Sequence, residues 1–541
     1  MDRSTHKHWA TVAVFAAVIA INSIVPIWNP TIITSLTASV NFSSGSGKTI
    51  SPVWNCMNIW DVTMVPADMT TFKAQHPTVD TLVLMTATGG RPDEPWYHYS
   101  NDYVKRLPNG TLVYNFTNLN VAVDRTLNAR LHLELVIGNV PHALANKTTF
   151  TRADYGAFDA LTLPPKNYTE YRWYIGNLTA HCISRWGVAN VSSWKFRLMT
   201  EPDNRDWWTA TIEEYIQLWM ATFGPIKAAI PNATIVLGNM ASNNNFAFAT
   251  RVLQDVAAQN VSLLPDMVSF SYYHDLRHPP SPDDLSSLVS RWLVHLASLG
   301  INKKFTMAVE EGMILTDENG KRLWAGDGTE LGAAWNTWMI SSVIGLNFDH
   351  FVQWDMNFDG FLGPHGLVHL MAQRMVGSTL VNVSMNYSPL SMTATHLVGG
   401  FASKNASGGV YRALLYKYTP QRSWKQGTTL DVSIQGLPAG TYNETVFRID
   451  GHENNWFTTW LQNSTGVPRY PDGSIYDLDI RTAFNNTAGY AAWGKWKLGR
   501  SDPLTPVPEP LNIITIGEDG SAIFHVALDA NCVVLLELAR M

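Results

Sequence analysis

Cysteine is scarce, with three residues in 541, Cys56, Cys182 and Cys532. At most one bridge can close within the chain, so this is no disulfide scaffold, and the spacing is not that of a zinc site. Charge is also sparse, at 15 % of residues, with a formal net charge of −6 and no basic run. That argues against nucleic acid as a partner. The composition is not that of a disordered or coiled-coil protein, and the absence of repeats and low-complexity linkers predicts domains that pack closely. Hydrophobic residues make up 46 %, enough for a barrel of about 250 residues or more and a second domain.

What is abundant is tryptophan, with 21 copies. Aromatic faces suit sugar rings, although large α/β enzymes also bury many indoles, so the count leaves both readings open. The chain starts with Arg3, Lys7 and two histidines, followed by an apolar segment from Trp9 to about Trp28. Residues 1–28 therefore read as a signal peptide or signal anchor, and the lack of a small-x-small cleavage site leans to membrane anchorage through an uncleaved segment. Downstream lie Asn-x-Ser/Thr sequons at Asn41, Asn109, Asn115, Asn146, Asn167, Asn177, Asn190, Asn232, Asn260, Asn382, Asn386, Asn405, Asn443, Asn463 and Asn485. Together they predict a secretory-pathway glycoprotein, secreted or lumenal behind its anchor.

From about Ser51 to Gln373, short β-rich runs alternate with longer helical segments, the pattern of βα units around a parallel sheet. Eight runs qualify as strands: Val53–Trp60, Thr81–Thr86, Arg130–Ile137, Lys195–Met199, Thr234–Gly238, Met267–Tyr272, Phe305–Val309 and His350–Trp354. Helical stripes fall between them, as in Ile212–Ile230 and Asp284–Leu299. After about Met375 the runs become short, β-branched and punctuated by Gly, Pro, Asn and Asp. The fold class expected is α/β, a (β/α)8 TIM barrel over residues 51–374 with a C-terminal all-β sandwich over 375–541. Residues 29–50 are expected to add a strand to that sandwich.

Within the barrel two stretches stand out. Trp194-Lys195-Phe196-Arg197-Leu198-Met199-Thr200-Glu201-Pro202 runs an apolar strand into a carboxylate, and the proline after it cannot extend a ladder. Phe305-Thr306-Met307-Ala308-Val309-Glu310-Glu311-Gly312 delivers another acid to a glycine turn. Barrel chemistry gathers at the carboxyl ends of strands. A pair of carboxylates there suits glycosidic bond cleavage, in which one acid protonates the leaving oxygen and the other attacks the anomeric carbon.

With these stretches in view, the chain resembles glycoside hydrolase family 39. The residues that carry the resemblance are Tyr171 to Asp203 with Arg185-Trp186-Gly187 and Trp194, the strand Leu133-Glu134-Leu135-Val136-Ile137-Gly138 leading to Pro141, Ser269-Phe270-Ser271-Tyr272-Tyr273, and, in the sandwich, Phe447-Arg448-Ile449-Asp450 and Val534 to Leu538. The resemblance implies that Glu201 is the general acid/base and Glu310 the nucleophile of a retaining mechanism, with Glu311 as competitor, since strand alternation puts only one of two neighbours into the barrel mouth. It implies neither cofactor nor metal. Three features depart from the family: Thr200 stands where asparagine is usual, Ser271 where histidine is frequent, and the second strand lacks an expected arginine and histidine.

Substrate contacts are expected from Thr200, Tyr273, His274, Trp354 and Asp355. Asp93, Glu94, Trp96, Asp359 and His365 are weaker candidates, and Glu134 suits a buried network better than catalysis. The substrate expected is a β-xyloside-like carbohydrate. An α-L-iduronidase-like enzyme is the alternative, in which Arg91, Arg277 or Lys321 would meet a uronate, and a further alternative is an inactive glycan-binding surface protein. The oligomeric state is left open.

Overall fold

The computed structural model of the chain describes residues 36–90, 101–277, 284–316, 329–353, 357–358, 361–386, 397–420, 427–455 and 506–541. After a first strand β1 (Leu36–Asn41), eight strands alternate with helices: β2 (Cys56–Ile59), β3 (Thr81–Leu84), β4 (His132–Ile137), β5 (Lys195–Leu198), β6 (Thr234–Met240), β7 (Met267–Asp275), β8 (Thr306–Thr316) and β9 (Phe348–Gln353). They pair in parallel and in chain order from β2 to β9. The sheet curls until the Phe351 amide donates to the Val53 carbonyl at 2.7 Å, joining its two edges. The eight expected strands and the (β/α) barrel are thus observed, and the strand ends differ by a few residues.

Local chemistry fixes the helices that wrap the barrel. Helix α1 (Tyr168–Trp186) begins on Asn167, whose side chain accepts from the amides of Thr169 and Glu170, and it ends at Gly187 with φ 81°. Helix α2 (Ile212–Ala229) starts in a reciprocal Thr211–Glu214 capping box. Helix α3 (Glu330–Val343) is buried on almost every side, because the barrel lies against one face and the sandwich against the other.

The sandwich contains β10 (Thr379–Asn386), β11 (Leu397–Lys404), β12 (Val410–Tyr418), β13 (Thr428–Gln435), β14 (Gly440–Ile449), β15 (Asn512–Ile516), β16 (Ala522–Leu528) and β17 (Cys532–Arg540). Its strand order is β15-β14-β17-β12-β11-β10-β1-β13-β16. Strand β10 changes sheets along its length: Thr379 to Asn382 pair with β11, and Val383 to Asn386 pair with β1. The two layers share a core that includes Leu36, Val40, Leu415, Val432, Val526 and Val534. Tyr418 stacks on Trp338 of α3 at 5.5 Å, and Glu537 binds both Arg374 and Arg412, so the sandwich is fastened to the barrel by packing and by ion pairs. Cys56, Cys182 and Cys532 are all free and buried. No helix among the described residues is long and apolar enough to cross a membrane, and residues 1–35 lie outside them.

Candidate active site

Strand β5 stops at Leu198, and the chain then turns through Met199 (φ 65°) and Glu201 (φ 43°). Two non-glycine residues in the left-handed region within three positions are strained, and such strain persists only where surrounding contacts hold it. Part of that support is Gly238 on β6, where a Cβ would come within 2.8 Å of the Leu198 carbonyl and 2.9 Å of that of Met199. The carboxylate of Glu201, 6 % exposed, accepts from Asn204 Nδ2 at 2.9 Å and from Ser271 Oγ at 2.8 Å.

The second acid depends on an irregularity that simple alternation does not foresee. On β8, Val309 pairs with Phe270 and Glu311 with Ser271, so Glu310 is an extra residue, a β-bulge. Ala308 and Glu310 face the barrel interior by ordinary alternation, and the bulge turns Glu311 inward as well. The Glu310 carbonyl accepts from Asn58 Nδ2 at 2.7 Å. Strand β6 carries a matching extra residue between Leu237 and Met240, and it brings Asn239 inward.

The two glutamates therefore sit at different depths. Glu311 lies at the mouth: Tyr273 Oη donates to its Oε2, and Asn239 Nδ2 donates to its Oε1 at 3.0 Å. Asn239 Nδ2 also donates to Ser271 Oγ at 3.0 Å, so Glu311 and Glu201 are joined through Asn239 and Ser271. Glu310 is fully sealed, with its Oε2 3.7 Å from Arg197 Nη2 and 3.1 Å from His350 Nε2. Arg197 also donates to Glu134 at 2.8 Å, and Lys195 and Asp349 complete the cluster below His350. The expectation that Glu310 is the acid facing Glu201 is corrected by this arrangement. The residue that shares the mouth with Glu201 is Glu311, because the bulge lets both neighbours point inward.

Electrostatics separates the acids further. Burial, and then the charge of Glu201, push Glu311 up to about 8. Burial also raises Glu201, with Asp203 and Asp206 adding to the effect and Asn204 and Ser271 opposing it. Two such carboxyls titrate as one unit and share a proton near neutrality. Burial and the Glu201 charge raise Glu311 most, while the smaller Arg197 contribution favours its ionised form and Asp203 and Asp206 favour the protonated form of Glu201. Burial opposes charge on Glu310 too, yet Arg197 and His350 outweigh it and hold that carboxyl down at about 2.

Glu134, Glu310 and His350 bring ligand-type atoms within 4.8 Å of one another. The guanidinium of Arg197 already supplies a fixed cation there, so the donor set suits an internal charge network better than a metal ion.

Of the other expected contacts, Tyr273 reaches the pair directly. Thr200 is buried at the mouth, where its hydroxyl donates to the Met85 carbonyl at 3.4 Å. His274 does not face the site. It follows Tyr273 on β7, so alternation turns it outward, between Trp338 and Tyr418. His365 lies not in a loop but in a helix, Pro364–Gln373, fully buried. Arg277 is committed to Asp275. Trp354, Asp355, Asp359, Asp93, Glu94, Trp96, Arg91 and Lys321 lie outside the described residues.

Sequence reasoning missed an aromatic cluster. Trp60, half-buried at the end of β2, lies 5.8 Å from Trp207 and 5.9 Å from Phe158, and Phe158 stacks on Trp207 at 5.2 Å. The Trp207 amide donates to the Asn204 carbonyl, so this cluster adjoins the residue that holds Glu201. The available signal was the doublet Trp207-Trp208 six residues after the acid.

The model of the glycosyl hydrolases family 39 matches residues 98–281. A β-xylosidase of Geobacillus stearothermophilus is 26 % identical over 185 residues, 32 % of this chain and 36 % of that protein. A β-xylosidase of Caldicellulosiruptor saccharolyticus is 31 % identical over 135 residues, 24 % of this chain and 26 % of that one. The chain thus aligns with about a third or less of the length of these relatives. Among solved structures, a GH39 enzyme from Xanthomonas axonopodis pv. citri superposes with a TM-score of 0.68 at 17 % identity, over 96 % of this chain and 100 % of that one. The stretch that matches the glycosyl hydrolases family 39 model supplies Glu134, Arg197, Glu201, Asn239, Ser271 and Tyr273, and the chain shares the barrel-and-sandwich fold of the Xanthomonas GH39 enzyme.

Proposed function

We propose that the protein is a retaining glycoside hydrolase acting on a β-xyloside-like substrate, with Glu201 as acid/base and Glu311 as nucleophile. The observation that carries this reading is the coupling of the two buried carboxyls through Ser271 and Asn239, at the carboxyl ends of β5, β7 and β8. In the first step Glu201 gives its proton to the leaving oxygen while Glu311 attacks the anomeric carbon, and a glycosyl ester forms. Esterification removes the charge of Glu311. Glu201, now an anion with its repulsive neighbour gone, takes a proton from the incoming water, and that water releases the sugar with its configuration retained.

The substrate class is favoured over a uronate by the surroundings of the pair. Among the described cations, Arg197 lies beneath the carboxyls and Arg277 is bound to Asp275, so neither is offered to a sugar carboxylate. The secretory location belongs to the same proposal. None of the sequon asparagines among the described residues is buried, and those in α1 and the loops before it, Asn146, Asn167 and Asn177, are exposed.

The test is a panel of aryl glycosides, followed by trapping with the matching 2-fluoro sugar and mass spectrometry of the adduct. Turnover with an adduct on Glu311 is the expected result. An adduct on Glu310 would overturn the assignment of the nucleophile. Glycan binding without turnover, unchanged in Glu201→Gln, would replace the hydrolase by a binding protein.

A further inference from the structure

Asn239 faces two different neighbours inside the barrel. Its Oδ1 accepts from Arg197 Nη1, while its Nδ2 lies 3.0 Å from Glu311 Oε1 and 3.0 Å from Ser271 Oγ. Arginine has donors only, so the amide has one acceptable orientation, with oxygen toward Arg197 and nitrogen toward Glu311 and Ser271. A hydroxyl carries a single proton. Once Ser271 Oγ accepts from Asn239, that proton is free for Glu201 Oε1, 2.8 Å away. Arg197 is itself fixed by Glu134 at 2.8 Å and by Glu310, and all of these side chains are sealed from water.

We infer that Asn239 is a positioning residue, oriented by Arg197, that hands one donor to each limb of the carboxyl pair: directly to Glu311, and through Ser271 to Glu201. This rests on the reading of Glu201 and Glu311 as the reacting acids. The sequence places the two bulges accordingly, since the extra residue on β6 presents Asn239 and the extra residue on β8 presents Glu311. The titratable and charged groups around Glu311 are Arg197 from β5, Glu201 from the turn after it and Tyr273 from β7, with Glu310, Glu134, His350, Lys195 and Asp349 one layer below. Asp203 and Asp206 bear on Glu201.

The experiment is a difference-infrared titration of the carboxyl bands of the full chain, the Glu311 band being assigned by its loss in Glu311→Gln. Asn239→Ala removes a donor from the ionised form of Glu311, so its midpoint should rise by about one pH unit. Ser271→Ala has the opposite sign: Glu201 loses a donor and holds its proton more firmly, which relieves the repulsion on Glu311 and leaves its midpoint unchanged or lower. Arg197→Lys keeps the cation but lacks the fork that reaches both Glu134 and Asn239, and should shift Glu311 upward as Asn239→Ala does. In the wild type and these variants, the acidic limb of kcat/KM against pH should follow the Glu311 midpoint. A midpoint unmoved in Asn239→Ala, or moved the same way in Asn239→Ala and Ser271→Ala, overturns the inference. The infrared arm needs no turnover, so a shift in a chain that hydrolyses no glycoside would sink the hydrolase reading while leaving the role of Asn239 intact.

Discussion

Glu310 and Glu311 are adjacent, identical in chemistry and nearly equally buried, and the structure predicts opposite consequences for neutralising them. Glu310 lies 3.7 Å from the Arg197 guanidinium. A unit pair at that distance in an effective dielectric of about 20 interacts by roughly 4 kcal/mol. With burial opposing and Arg197 and His350 lowering it, the net depression from 4.5 to about 2 corresponds to about 3 kcal/mol of preference for the charged form. Glu310→Gln is therefore expected to cost about 3 kcal/mol of stability at pH 7, while kcat per folded molecule falls less than about tenfold. The sign with pH follows from the lowered folded-state value. The contribution is fully present above the unfolded carboxyl value and disappears as pH falls through about 2, so mutant and wild type should converge in acid.

Glu311 behaves inversely. Its carboxyl is raised from 4.5 to about 8, so at pH 7 the fold bears a penalty that an amide would not incur. Glu311→Gln should be more stable than wild type at pH 7 by about 1 to 3 kcal/mol, an advantage that shrinks as pH falls toward 4.5. It should also lose about 10⁴-fold or more in kcat, because the attacking group is gone. Urea unfolding across pH, set beside turnover of an aryl glycoside, reads both effects on the same samples. The reverse result, an inactive Glu310→Gln of unchanged stability beside an active Glu311→Gln, would refute the depth argument and return the nucleophile to position 310.

Three further outcomes follow from the same geometry. Glu201→Ala should hydrolyse substrates with poor leaving groups about 10³-fold or more slowly while retaining much of its rate of ester formation with dinitrophenyl glycosides, and added azide should give a glycosyl azide of retained configuration. Tyr273→Phe deletes the phenol that donates to Glu311, so kcat/KM should fall about 10- to 100-fold, with the acidic limb of its pH profile displaced upward by about one unit. Phe158, 38 % exposed over Trp207, is expected to contribute to substrate binding more than to chemistry: Phe158→Ala should raise KM by up to about tenfold and leave kcat within about twofold, as measured by steady-state kinetics.

The parts of the molecule that were legible beforehand are those that repeat. Leu131, Leu133 and Leu135 at every second position, and helical stripes such as Tyr215, Leu218, Trp219 and Phe223, are periodic because each element buries one face, and they reveal the barrel. Glu201 was legible because Pro202 ends the ladder just beyond it. Which of two adjacent glutamates faces it was not, since the answer depends on a departure from period two that only the neighbouring strands enforce. The extra residue at Glu310 is held by Asn58, from β2 across the seam of the barrel, and just after it the Phe351 ring packs so closely on Gly312 that a Cβ there would lie 2.4 Å away. Neither constraint is near in sequence. The same holds for Arg197, which reads as one polar residue in an apolar strand until Glu134, Asn239 and Glu310 converge on it from three other strands. A buried cation with two carboxylates is costly to assemble and gives little net stability. Its presence beneath the mouth is therefore better explained by what it orients there than by what it adds to the fold.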